Sequence, residues 1–250
     1  SWEINATLPT GLNFGTNNGT IWGIPTVLQL TPIIYTIWAN NSGGSTSATV
    51  TITIIDQLPT DLSYVPENLT LTNNTVSGDL PLVPQITGPG DITSWEINAT
   101  LPAGLNFGIN NGTVYGTPTE LWTTTPYTIW ANNSGGSVSA QINITVVDQL
   151  PTLSYSPSTL ALTNNTVSGD LPLSATLTGP GDIISWEIDA TLPAGLNFGT
   201  NNGTIWGIPT VLQLTPIIYT IWANNTGGST SATVTITIID QLPTDLSYTP

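Results

Sequence analysis

One passage is written three times in this chain. Ser1-Trp2-Glu3-Ile4 returns as Ser94-Trp95-Glu96-Ile97 and again as Ser185-Trp186-Glu187-Ile188. Ile37-Trp38-Ala39-Asn40-Asn41 returns at Ile129 and at Ile221. The spacing of 91 to 93 residues is the length of one small β-sandwich, so the sequence predicts a tandem array rather than one large domain. Such arrays build length and present one surface many times, which points to a structural or adhesive role. The outer copies are nearly the same: residues 1–64 and 185–248 differ only at Asn5/Asp189, Thr10/Ala194 and Ser42/Thr226. The middle copy diverges, with Val114-Tyr115-Gly116-Thr117-Pro118 where its neighbours have Ile-Trp-Gly-Ile-Pro. Likeness therefore skips a copy, at an offset of 184 residues. Duplication of a two-domain unit and uneven drift among single repeats both leave that pattern.

Within a copy the periodicity is that of strands. In residues 137–147, Val138, Ala140, Ile142, Ile144 and Val146 alternate with polar residues, as a half-buried strand requires. Tyr127–Ala131 reads as its hairpin partner and Asn132–Gly136 as the loop between them. Further strands are predicted over Asp91–Ala99 and Thr113–Tyr115, with edge strands over Leu69–Leu71 and over Val76–Ile86, the last interrupted by Pro81 and Pro84. No segment carries a 3.6-residue period. The predicted fold class is all-β, with tandem antiparallel β-sandwiches of about seven strands each.

Boundaries fall where Asp-Gln-Leu-Pro follows the closing strand, at Asp56, Asp148 and Asp240. The predicted organisation is the C-terminal part of a repeat over 1–57, complete repeats over 58–149 and 150–241, and the start of another over 242–250. Short proline-containing junctions make the array semi-rigid. A chain that opens inside a repeat and stops just after a new one begins reads as a window from a longer protein. Residues 1–57 lack the strands that residues 66–90 supply to the next copy. Those strands are expected from preceding sequence in the same chain, or from an adjacent subunit.

Composition narrows the partners. There is no Lys, Arg, His, Cys or Met, and fifteen acidic residues give a net charge of −15. Nothing can neutralise phosphate, so nucleic acid is excluded, and attraction to anionic lipid is excluded with it. Disulfides and side-chain salt bridges cannot form; stability must come from burial and from β-ladders. With 6% charged and 39% hydrophobic residues the chain does not have the composition of disorder. No apolar run approaches the roughly 18 residues of a membrane span, so no direct membrane insertion is expected in these residues.

The order of glycines and prolines resembles a known repeat. Leu101-Pro-Ala-Gly-Leu-Asn-Phe107, then Asn111-Gly-Thr-Val-Tyr-Gly-Thr-Pro-Thr119, then Tyr127-Thr-Ile-Trp-Ala-Asn-Asn-Ser-Gly-Gly136 are similar to the Putative Ig domain repeat, close to the dystroglycan-type cadherin-like repeats of bacterial and archaeal surface proteins. The resemblance covers essentially all three copies. It implies extracellular, cell-surface Ig-like sandwiches in adhesins or appendages, and no enzymatic activity. The outer copies depart from the pattern with Ile24 and Ile208 before proline.

Candidate functional residues are few. Trp2, Trp95 and Trp186 share strand phase with Ile4, Ile97 and Ile188 and are assigned to the core. Trp38, Trp130 and Trp222 lie on the opposite phase. Trp22 and Trp206 sit where the resembled family has a small polar residue, and Tyr115 lies on the matching short strand of the middle copy. These six aromatics are the candidate interface; covering by loops such as Leu121-Trp122, or stacking on sugars, are the alternatives. Twelve Asn-x-Ser/Thr sequons, at Asn5, Asn18, Asn40, Asn68, Asn73, Asn98, Asn111, Asn132, Asn143, Asn164, Asn202 and Asn224, are candidate sites for covalent glycans. Asp148 resembles a cadherin-like linker aspartate and Asp56, Asp61 and Glu67 cluster at the first junction, which raises a calcium alternative, but no DxNDN or DxDxDG string accompanies them; no cofactor is expected. Asp91 and Glu96 are the one conceivable glycosidase pair, and no His, Lys or Cys supports chemistry elsewhere. The function that follows is a structural repeat of an extracellular fibre, its partners copies of itself. The alternatives are the stalk of a large adhesin and a glycan-binding module.

Overall fold

The structure is a computed structural model that describes residues 1–244. Of the predicted start of a further repeat at 242–250, residues 245–250 lie outside the described residues. Two compact units are present, one from residues 1–69, 78–116 and 124–144, the other from 70–77, 117–123 and 145 onward. Every regular element among the described residues is a strand.

In the first unit, the opening residues form β1 (Trp2–Ile4), β2 (Leu12–Phe14), β3 (Ile21–Gly23), β4 (Gln29–Asn41) and β5 (Gly44–Ile54). They make a sheet in the order β1-β4-β5, and β2 pairs with β3. All of these ladders are antiparallel, with a bulge in β4 between Gln29 and Ile33. The sheet ends at β5, and the predicted completing strands of this part-repeat have no counterpart in residues 1–57.

The second repeat consists of β6 (Thr60–Ser63), β7 (Asn68–Thr72), β8 (Gln85–Thr87), β9 (Ser94–Ile97), β10 (Leu105–Phe107), β11 (Val114–Gly116), β12 (Trp122–Asn133) and β13 (Gly136–Val147). The long alternating strand falls where its period placed it. The predicted edge strand over Val76–Ile86 does not form: Leu82 makes a lone bridge to Val114, and β8 starts only at Gln85. Pro81 and Pro84 carry no N–H to give to a ladder.

The third repeat lies wholly in the second unit. It contains β14 (Thr152–Tyr155), β15 (Thr159–Thr163), β16 (Ala175–Thr178), β17 (Ser185–Ile188), β18 (Leu196–Phe198), β19 (Ile205–Gly207), β20 (Gln213–Asn225) and β21 (Gly228–Ile239). The main sheet runs β15-β21-β20-β17, with β14-β16 and β18-β19 as separate two-stranded ladders. Pairing is antiparallel except between β15 and β21, which run parallel from Thr159↔Thr235 to Thr163↔Ile239. This parallel ladder departs from the antiparallel pairing that the alternating strands predict.

The core follows from the alternation. Ile221 and Ala223 of β20, Val234 and Ile236 of β21, and Leu160 and Leu162 of β15 are buried in one cluster with Leu153, Tyr155 and Trp186. Removing each large apolar side chain from water contributes about 1.5–3 kcal/mol. Two glycines explain part of the family-like pattern. Gly195 and Gly207 both have positive φ, and a Cβ on either would collide with backbone carbonyls, those of Ile208 and Gly195 respectively. Only glycine permits that approach of β18 to β19.

Candidate functional site

The tryptophans separate by strand phase. Trp95 and Trp186 are buried; Trp2, their equivalent, is only partly covered. Trp130 is flanked along β12 by the fully buried Ile129 and Ala131, so its ring stands on the other side of the sheet, half-exposed. Trp222 has the same relation to Ile221 and Ala223. Each outward ring faces a carboxylate across the ladder: Glu3 opposite Trp38, Glu96 opposite Trp130, Glu187 opposite Trp222. Trp22, Tyr115 and Trp206 are still more open, at 53%, 47% and 42% exposure.

A further apolar element lies outside the six aromatics. Leu30 and Ile34 in the first repeat, and Leu214 and Ile218 in the third, are well exposed. Ile34 pairs with Thr51 and Trp38 with Ser47, so both stand on the outward phase of β4. The middle repeat has Thr123 and Pro126 at the corresponding positions. The signal was present in the sequence: Ile34 immediately precedes the core residue Tyr35 and so must point the other way.

The sequon asparagines fall into distinct settings. Asn18, Asn111 and Asn202 are exposed, and their Oδ1 atoms accept the N–H of Thr20, Thr113 and Thr204 at 3.1, 3.2 and 3.1 Å. Asn5 and Asn98 accept the N–H of Thr36 and Thr128, Asn68 accepts from Asn143 Nδ2, and Asn132 and Asn224 donate to Ser94 and Ser185. Asn40 is tied through its own N–H to Ser1. At Asn73 and Asn164 the side-chain oxygen is buried.

The junction acids bind backbone. Asp148 Oδ1 accepts the N–H of Gln149 at 2.8 Å, and its Oδ2 accepts the N–H of Asp182 at 3.0 Å. The Asp148 N–H donates to Thr226 Oγ1, and Asn225 Nδ2 donates to the Gln149 carbonyl. Asp56 repeats the arrangement with Gln57, Asp91 and Ser134. Asp61 accepts from Thr87 Oγ1. Among the described residues, no three metal-ligating side chains converge. The Asp91 N–H lies at the junction beside Asp56, and Glu96 stands across from Trp130.

The third repeat has one roomy concavity, of about 540 Å³, lined by Val167, Ser168, Leu171, Pro172, Asn202, Thr204, Trp206 and Gly207. Its lining is mostly apolar with a few hydroxyl and amide groups.

Among solved structures, the chain is similar to Drosophila OTK extracellular domains 3–5 (19% identity, TM-score 0.44, covering 92% of this chain and 78% of that one). It is also similar to the I-band fragment I67–I69 from titin (15%, TM-score 0.40, 96% and 87%) and to Drosophila N-cadherin EC1–3 (16%, TM-score 0.38, 96% and 89%). No curated protein sequence matches. The profile described as Putative Ig domain matches three times, over residues 1–55, 59–147 and 150–239. With three tandem all-β repeats and the LPxGL and Gly-x-Pro turns held by paired glycines, the chain belongs to the Putative Ig domain family.

Proposed function

We propose that the chain is a structural segment of an extracellular fibre, whose neighbouring strands associate through the outward faces of the sandwiches. The observation that carries this reading is the repeated placement of Trp38, Trp130 and Trp222 on the side of the sheet away from its own core. One copy of such a ring is a local accident; three in the same register make a surface that recurs with the repeat. Burial of each ring at a contact contributes about 1.5–3 kcal/mol. The exposed Ile34 and Ile218 enlarge the patch in the outer repeats.

Charge opposes association, because every ionised side chain has the same sign. The acids are sparse, and salt screens exposed charges beyond roughly 10 Å at 0.1 M. Apolar contact therefore prevails at moderate salt, and association weakens as salt is removed. The reading carries no catalytic role, and its partners are further copies of the chain and covalently attached glycans. Electron microscopy of the native material tests it: helical or bundled polymers are the expected result. Isolated threads projecting from a cell surface would instead support an adhesin stalk.

A further inference from the structure

Three of the exposed aromatics lie at a fixed distance from a sequon. Asn18-Gly-Thr-Ile-Trp22, Asn111-Gly-Thr-Val-Tyr115 and Asn202-Gly-Thr-Ile-Trp206 each place an aromatic four residues after the asparagine. The third repeat shows what that spacing achieves. Asn202 sits in the turn before β19 and Trp206 in β19 itself. A Cβ placed on Gly199 would touch both Asn202 Oδ1 and Trp206 Cζ3, the latter at 3.2 Å. The sequon amide and the indole edge therefore meet over one glycine. Gly15 relates Asn18 to Trp22 in the same way. Asn202, Thr204 and Trp206 also line the same 540 Å³ concavity, within the size range of small-molecule sites.

We propose that this concavity is the seat of a glycan carried on Asn202, with the first sugars packed on the Trp206 ring. The Asn202 oxygen is committed to the Thr204 N–H, and a glycan attaches through the other atom of the amide, Nδ2. Attachment forms a bond from Nδ2 to sugar C1 and breaks the C1–O bond to a diphosphate-linked lipid carrier. The diphosphate leaves with the electron pair, and one Nδ2 proton goes to solvent. The C–H groups on one face of a pyranose are electropositive and complement the negative face of an indole. Ser168 and Thr204 offer hydroxyls to the sugar, and Leu171 and Pro172 close the apolar side. The same design explains why the outer repeats carry Trp here. It assigns Trp206, and Trp22 by the same contact over Gly15, to covering by sugar, leaving contacts between chains to Trp38, Trp130 and Trp222.

The test uses the full chain made in a host that N-glycosylates secreted proteins, beside Thr204→Val and Thr204→Ser. Thr204→Val abolishes the sequon yet keeps the backbone N–H that Asn202 accepts; Thr204→Ser keeps both. Glycopeptide mass spectrometry is expected to find a glycan at Asn202 in the wild type and Thr204→Ser, and none in Thr204→Val. Hydroxyl-radical footprinting is expected to show Trp206 oxidised about two-fold more slowly where the glycan is present, one ring face having left the water. Footprinting the wild-type chain before and after enzymatic trimming of its glycans makes the same comparison without a substitution. An unmodified Asn202 overturns the proposal. So does a modified Asn202 whose presence or trimming leaves Trp206 reactivity unchanged.

Discussion

The Tyr155 hydroxyl donates to the Gly203 carbonyl at 2.6 Å, joining residues 48 apart in sequence. Gly203 has φ +65°, and a Cβ there would strike the Trp186 ring; the turn, the core tryptophan and the tyrosine form one packed unit. Tyr64 and Gly112 repeat the bond in the second repeat at 2.7 Å. Tyr155→Phe leaves the ring in place and orphans a buried carbonyl. The expected loss is about 1–3 kcal/mol, measured as a lower denaturation midpoint in urea, with strand content in circular dichroism unchanged.

The same hydroxyls set the alkaline limit. Burial raises the pKa of Tyr64 and Tyr155 above the ordinary phenol value of 10.0. The neutral form is thus favoured in the folded state, and above pH 10 the unfolded chain holds fewer protons than the folded one. The stabilisation is complete below about pH 10 and is lost as pH rises through the folded values. Melting temperature is expected to fall above pH 10, and the fall is expected to be shallower in a Tyr64→Phe/Tyr155→Phe chain. An unchanged slope would place the alkaline sensitivity elsewhere.

At the junctions, the carboxylates hold backbone N–H groups. Asp148→Ala strands the half-buried N–H of Gln149, an expected cost of about 1 kcal/mol, and hands the exposed N–H of Asp182 to water. Faster proteolytic cleavage near residue 148 reads this out. Because the oxygens are already engaged, chelation of calcium is expected to leave the melting temperature unchanged.

Trp130→Ser and Ile129→Ala separate the two faces of β12. The first is expected to leave the melting temperature of the full chain nearly unchanged while lowering its association in sedimentation. The second removes a fully buried side chain and is expected to cost about 2–5 kcal/mol of stability. Destabilisation by Trp130→Ser with association intact would move that ring into the core.

The opening part-repeat offers a construction test. Trp2, Ile37 and Ala39 line an open apolar concavity of about 330 Å³, whereas their equivalents Trp186, Ile221 and Ala223 are buried in the third repeat with Leu153, Tyr155, Leu160 and Leu162. Placing a copy of residues 150–184 ahead of Ser1 supplies the missing strands in their native order. Hydrogen exchange of β5 is expected to slow to the rate of the matching residues of β21. Unchanged exchange would show that this face is stable without a cover.

Much of this was legible because it is local. Alternation placed β13, and strand phase alone separated Trp130 from Trp95. The stretch before β8 has the apolar content of a strand, but Pro81 and Pro84 deprive it of the N–H donors a ladder needs. The Tyr155–Gly203 bond and the Asp148–Thr226 contact, 78 residues apart, carry no local signature. The parallel course of β15 beside β21 depends on where a crossover lands, which periodicity does not encode.

That parallel ladder also has a mechanical meaning. Tension carried along the chain enters the third repeat's main sheet at β15 and leaves it at β21. Because the two strands point the same way over Thr159–Thr163 and Thr235–Ile239, pulling on the ends slides one past the other. All their hydrogen bonds then bear the load together rather than peeling one at a time. A chain with neither disulfides nor salt bridges between side chains thus has a shear clamp built into the main sheet of its third repeat.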